Sequence, residues 1–212
     1  MAWTPEPDSA LLVVDVQRDF CPGGTLPVPE GDAVVAPLNA AAEHFATAGR
    51  PVIASRDWHP PRTSHFNTHG GPWPPHCVQG TAGAEFHPAL RLPPGALIVS
   101  KGMGENEDAY SAFQARDEAG RPLADLLRER GIRHLYVGGL ATDYCVKASV
   151  LDARRHGFEV TVLEDAIRAV NVQPGDAERA LAEMREAGAR LKRWAEMQAA
   201  SAAPAEPAAP SA

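Results

Sequence analysis

The chain has 212 residues, of which 44% are hydrophobic, and a net charge of −7. That length suits one domain with a full core, and the acidic balance without any basic run argues against nucleic acid or an anionic membrane as partner. No stretch is long and apolar enough to span a bilayer, the N-terminus lacks a signal-peptide pattern, and three cysteines without framework spacing suit a reduced, cytoplasmic setting.

Taken in order, Ala10–Val16 reads as a central parallel strand with Asp15 at its carboxyl end. Open α/β sheets bind ligands at that edge, although such an Asp can also simply cap a turn. Gln17 to Gly24 is a loop with Phe20 as an apolar wall. Asp32–Ala48 has helical spacing, closed by Gly49, and Pro51–Ser55 is a second strand.

Asp57 to Pro94 carries eight prolines, four glycines and five of the eight histidines, with no sustained apolar period. A structureless connection that long inside a compact domain points to function. Asp57 and His59 project to one side of a strand end, and His65 and His76 can fold back toward them. An Asp and three His around a divalent ion would cross-link the loop; a solvated, His-rich loop is the alternative.

Leu97–Ser100 is a third strand, and Lys101 follows at its end. Asp108 to Phe113 is a loop with two aromatics. Pro122–Arg130 is a helix, His134–Val137 a fourth strand, and Gly138-Gly139 a turn. Thr142 and Asp143 are suited to cap the next helix, which places Cys145 in its first turn. There the free amides and the helix dipole favour a thiolate and can hold an oxyanion, whereas a Cys at such a junction can also be a small buried hydrophobe. Glu159–Leu163 is a fifth strand and Pro174–Ala187 a final helix. A single domain over 1–195 is expected, and the Ala/Pro-rich 196–212 is expected to be a disordered tail.

The alternation of strands and helices indicates an α/β fold with a doubly wound, mainly parallel sheet. It brings Asp15, Lys101 and Cys145 to one sheet edge. A carboxylate there can deprotonate the thiol, and an ammonium keeps both groups charged.

The motifs LLVVDVQRDFCPGG, SRDWHP...SHF...WPPHCVQGT, SKG and GGLATDYCV occur in that order between Leu11 and Met184. Together they resemble the nicotinamidase/pyrazinamidase branch of the isochorismatase-like cysteine hydrolases. The resemblance implies a three-layer α/β/α fold and hydrolysis of nicotinamide, in NAD salvage, with Cys145 as nucleophile, Asp15 as base and Lys101 as third member. It implies a zinc, iron or manganese ion on Asp57, His59, His65 and His76, and an oxyanion hole from the backbone N–H groups of Ala141 and Cys145. It also implies a cis Leu140–Ala141 peptide and a substrate pocket with Phe20, Trp73, Tyr110, Leu140 and Tyr144. A small-molecule substrate is the expected partner, for a monomer or a homo-oligomer. Two other readings fit the motifs: an N-carbamoyl amide hydrolase of the same superfamily, whose metal set would differ, and an inactive, metal-stapled binding protein.

Overall fold

The computed structural model describes residues 3–202. Six parallel strands form one sheet in the order β3-β2-β1-β4-β5-β6: β1 Ser9–Val14, β2 Val52–Asp57, β3 Leu97–Lys101, β4 His134–Leu140, β5 Glu159–Arg168 and β6 Arg190–Lys192. The helices are α1 Val35–Thr47, α2 Leu123–Glu129, α3 Lys147–Arg155, α4 Asp176–Glu186 and α5 Trp194–Ala202.

Every residue of β1 is buried, as befits a strand covered on both faces. Its side chains alternate between two cores. Ala10, Leu12 and Val14 pack with Leu123 and Leu126 of α2, Val150 of α3 and Met184 of α4. Leu11 and Val13 pack with Leu38, Ala42 and Phe45 of α1 and Trp194 of α5. The result is the expected three-layer arrangement. The sheet grows outward from β1 in one direction and from β4 in the other, so the cleft above β1 and β4 is the switch point where such folds bind ligands.

Four expectations change. β4 does not stop at Val137: Gly138 and Gly139 continue the strand to Leu140. The glycines are there for closeness rather than for a turn. A Cβ on Gly139 (φ 129°) would collide with the Val14 backbone, and one on Gly138 would meet Leu38 at 2.9 Å. Thr142 and Asp143 do not cap the next helix. Residues Thr142–Val146 form one turn of π-helix, and the Asp143 carboxylate instead accepts from the N–H of Val170 (3.0 Å) and Asn171 (2.8 Å). β5 runs five residues past Leu163, and β6 is an additional edge strand of three residues, Arg190-Leu191-Lys192. Finally, α5 covers Glu196 to Ala202, which the sequence reading assigned to the tail; the remainder of the tail lies outside the described residues. Among the described residues no helix is long and apolar enough to cross a membrane.

Candidate active site

Four neighbouring strand ends deliver the charged groups. β1 ends before Asp15, whose φ of 49° turns the chain sharply away from the sheet. A non-glycine residue held left-handed is a conformation that the surroundings must enforce. Lys101 closes β3, Asp57 closes β2, and Cys145 lies in the turn after β4. The Leu140–Ala141 peptide is cis.

Asp15, Lys101 and Cys145 come together in the interior, respectively 0%, 1% and 7% exposed. Lys101 Nζ is 2.9 Å from Asp15 Oδ2, donates to the Asp57 carboxylate, and lies 3.6 Å from Cys145 Sγ. Ser55 Oγ donates to Asp15 Oδ1 at 2.7 Å. A carboxylate oxygen of Asp15 lies within 4.8 Å of the Cys145 sulfur.

Burial opposes the Lys101 charge, but Asp15 and Asp57 outweigh it and hold the ammonium well above the usual lysine range. Burial raises the Asp15 carboxyl, against the pull of Lys101. Burial also pushes the Cys145 thiol well up, and the nearby carboxylates add to that against Lys101. Burial and the carboxylates of Asp15 and Asp57 thus oppose the thiolate that a helix start favours, and the Asp15 carboxylate stands close enough to take the thiol proton.

On the other side of Asp57 stand three histidines whose ring nitrogens lie within 4.8 Å of one another. His59 is on the segment leaving β2, while His65 and His76 are on the Pro-rich loop. His59 Nδ1 meets Gly102 O at 3.0 Å and His76 Nδ1 meets Pro74 O at 2.7 Å. These contacts leave each Nε2 to face inward, and His59 Nε2 is buried with no hydrogen-bond partner. Asp57 Oδ2 is 3.5 Å from His59 Nε2 and 3.8 Å from His76 Nε2. Burial lowers His65 and takes His76 down to about 4, so the neutral, ligating form is favoured. Oriented neutral imidazoles beside a carboxylate suit a divalent cation. Asp57, pulled by Lys101 and His59 below the usual range against the effect of burial, faces both clusters at once.

A pocket of about 520 Å³, counting its mouth, opens over both clusters. Asp57, His65, His76 and Cys145 reach its wall, while Asp15, Lys101 and His59 stand behind it. Phe20, Trp73, Tyr110, Leu140, Ala141 and Tyr144 line it. Trp73 Nε1 donates to the Tyr110 hydroxyl at 2.9 Å, and the Trp73 and Tyr144 rings meet edge-on at 5.2 Å.

The sequence reading missed Leu26, Val28 and Val170 in the wall, and two polar supports, Ser55 and Gln17. Gln17 accepts from Asp57 N–H at 2.7 Å and donates to the carbonyls of Asp57 (2.7 Å) and Ala84 (2.8 Å). The signal for Ser55 was its place near the end of a buried strand beside Asp15.

Residues 9–196 match the isochorismatase domain family. The chain is 43% identical to an Escherichia coli nicotinamidase over 87% of its length and 94% of the relative's. A solved pyrazinamidase of Pyrococcus horikoshii in complex with zinc superposes with a TM-score of 0.82 at 47% identity, covering 88% of this chain and 99% of that one. A protein from L. infantum solved in complex with nicotinate gives a TM-score of 0.80 at 38% identity, covering 92% and 98%.

Proposed function

Because the chain belongs to the isochorismatase family, we propose that it is a metal-dependent nicotinamidase, converting nicotinamide to nicotinic acid and ammonia in NAD salvage, with pyrazinamide as a second substrate. The observation that carries this reading is the single pocket that opens onto both the Cys145 cluster and the histidine cluster, with Asp57 between them.

Asp15 removes the Cys145 thiol proton as the sulfur attacks the amide carbon, and returns it to the departing ammonia. Water then attacks the thioester with Asp15 again as base, releasing nicotinic acid and restoring the thiol. Lys101 pulls Asp15 toward its ionised form against the effect of burial and offsets negative charge at the sulfur. The N–H groups of Ala141 and Cys145 are the proposed donors to the tetrahedral oxyanion. Phe20 and Trp73 hold the ring faces, with Tyr110, Leu140 and Tyr144 closing the pocket.

Asp57, His59, His65 and His76 would hold a divalent cation, a donor set that zinc, iron and manganese all accept. When bound there, it supplies a Lewis-acid position for the pyridine nitrogen. His65 and His76 share the pocket wall with Cys145, which supports a role in recognition rather than a remote structural staple.

The test is ammonia release from nicotinamide by purified, metal-replete protein. Turnover is the expected result. Release from an N-carbamoyl amide with none from nicotinamide would move the activity to another amidase class, and no release from either would reduce the protein to a binding role.

A further inference from the structure

We infer that Asp108 is a positioning residue of the metal centre, and that the two residues after it tie that centre to the mouth of the substrate pocket; this rests on the metal site and substrate proposed above. Asp108, Ala109 and Tyr110 touch three different parts of the site in succession. Asp108 Oδ1 lies 2.9 Å from His65 Nδ1. The carbonyl of Ala109 accepts from Lys101 Nζ at 3.2 Å, and the Tyr110 hydroxyl accepts from Trp73 Nε1 at 2.9 Å.

Of the three clustered histidines, His59 and His76 set Nδ1 against backbone carbonyls, and only His65 sets it against a carboxylate. The approach lies off the N–H axis, so the contact is electrostatic rather than an aligned hydrogen bond. A carboxylate behind a ligating imidazole strengthens it as a donor to the ion. The Asp108 side chain is 65% exposed, so the pair adds little to stability; what it supplies is negative charge behind the His65 ring. A second tie, from Ser64 N–H to Glu105 O at 2.8 Å, holds the same two loops together through the backbone and needs no side chain. Metal loading and the placement of Tyr110 against Trp73 are thereby coupled through three residues of chain.

The experiment measures zinc retention in the full chain by competition with a chelator, for wild type, Asp108→Ala, Asp108→Asn and, as a neighbouring charge control, Glu105→Gln. Loss of a carboxylate partner behind a ligating His weakens metal binding by about 10- to 100-fold, so Asp108→Ala is expected to fall by about tenfold or more and Asp108→Asn by severalfold. Glu105→Gln is expected to stay within about twofold, because a surface charge without such a partner contributes little. At saturating zinc, Asp108→Ala is expected to raise KM for nicotinamide with kcat nearly unchanged, since Lys101 lies in β3 and Cys145 in the turn that follows β4. Retention in Asp108→Asn equal to wild type, or an equal loss in Glu105→Gln, overturns the inference. Should Asp108→Ala fail to fold, the Asn variant of the same shape decides. Zinc retention needs no turnover, so it decides the point even if nicotinamide proves not to be the substrate.

Discussion

Asp15 and Lys101 stand at the carboxyl ends of β1 and β3, and Cys145 in the turn that follows β4, whereas His59, His65 and His76 stand on a segment with almost no regular structure of its own. The first group is placed by the sheet. Its spacing follows from the parallel registers of β1, β2, β3 and β4, and it can shift only if the core shifts. The second group is placed by scattered ties: the Asp19 carboxylate on Cys77 N–H (2.7 Å), His59 N–H on Cys77 O (3.0 Å), Gln79 N–H on His59 O (2.8 Å), and Gln17 reaching Ala84 O (2.8 Å). A segment with few buried apolar side chains gains its missing rigidity from a cross-link, which a divalent ion would provide. Covalent chemistry sits on the rigid half and recognition on the half that a ligand can order.

Several substitutions break this contrast, in descending order of effect. Cys145→Ala removes the nucleophile but no ligand, so turnover is expected to fall by about 10⁴-fold or more. Metal content should be unchanged, and a variant that keeps appreciable activity would refute the assignment. Asp15→Asn takes away the proton acceptor, a loss of about 10²- to 10⁴-fold in kcat. Near-normal turnover there would require a different base. In His76→Ala the two halves should separate: metal is lost and the loop becomes open to proteolysis between Asp57 and Pro94. The sheet should remain as in wild type, and a loss of hydrogen-exchange protection in β1 or β4 would show that the halves are not independent. Ser55→Ala is the mildest, because it deletes one hydrogen bond to a charged group, about 1.5–3 kcal/mol and so roughly ten- to a hundredfold in kcat if that carboxylate is the base. An effect on KM alone would place Ser55 outside the chemistry.

The same contrast governs how much was legible from the sequence. The ends of β1 and β3 were readable because a short apolar run that stops at Asp15 or Lys101 carries its own signal. Asp57, His59, His65 and His76 stood out through the composition of a loop too long to be idle. What escaped was whatever depends on contact. β6 is the triplet Arg190-Leu191-Lys192 at the sheet edge, too short to carry a period of its own, and it becomes a strand by pairing with β5. α5 extends into an Ala-rich stretch whose anchor, Trp194, is buried against α1. Gly138 and Gly139 looked like a turn because nothing local says that Val14 and Leu38 press against them. What opposes the Cys145 thiolate escaped for the same reason: a dipole is visible in a sequence, but burial beside two carboxylates is not.

The central claim is that the histidine half recognises the ring while the cysteine half acts on the amide, and substrate discrimination tests it most directly. Benzamide keeps the ring shape and the carboxamide of nicotinamide but lacks the ring nitrogen, whereas pyrazinamide retains one. On metal-replete enzyme, kcat/KM for pyrazinamide should be comparable with that for nicotinamide. Benzamide should be lower by about 10⁴-fold, the scale on which a site built for a polar contact rejects an analogue that cannot make it. If benzamide came within about tenfold of nicotinamide, as a purely apolar fit would allow, the histidine cluster would be structural and the division of labour argued here would be wrong.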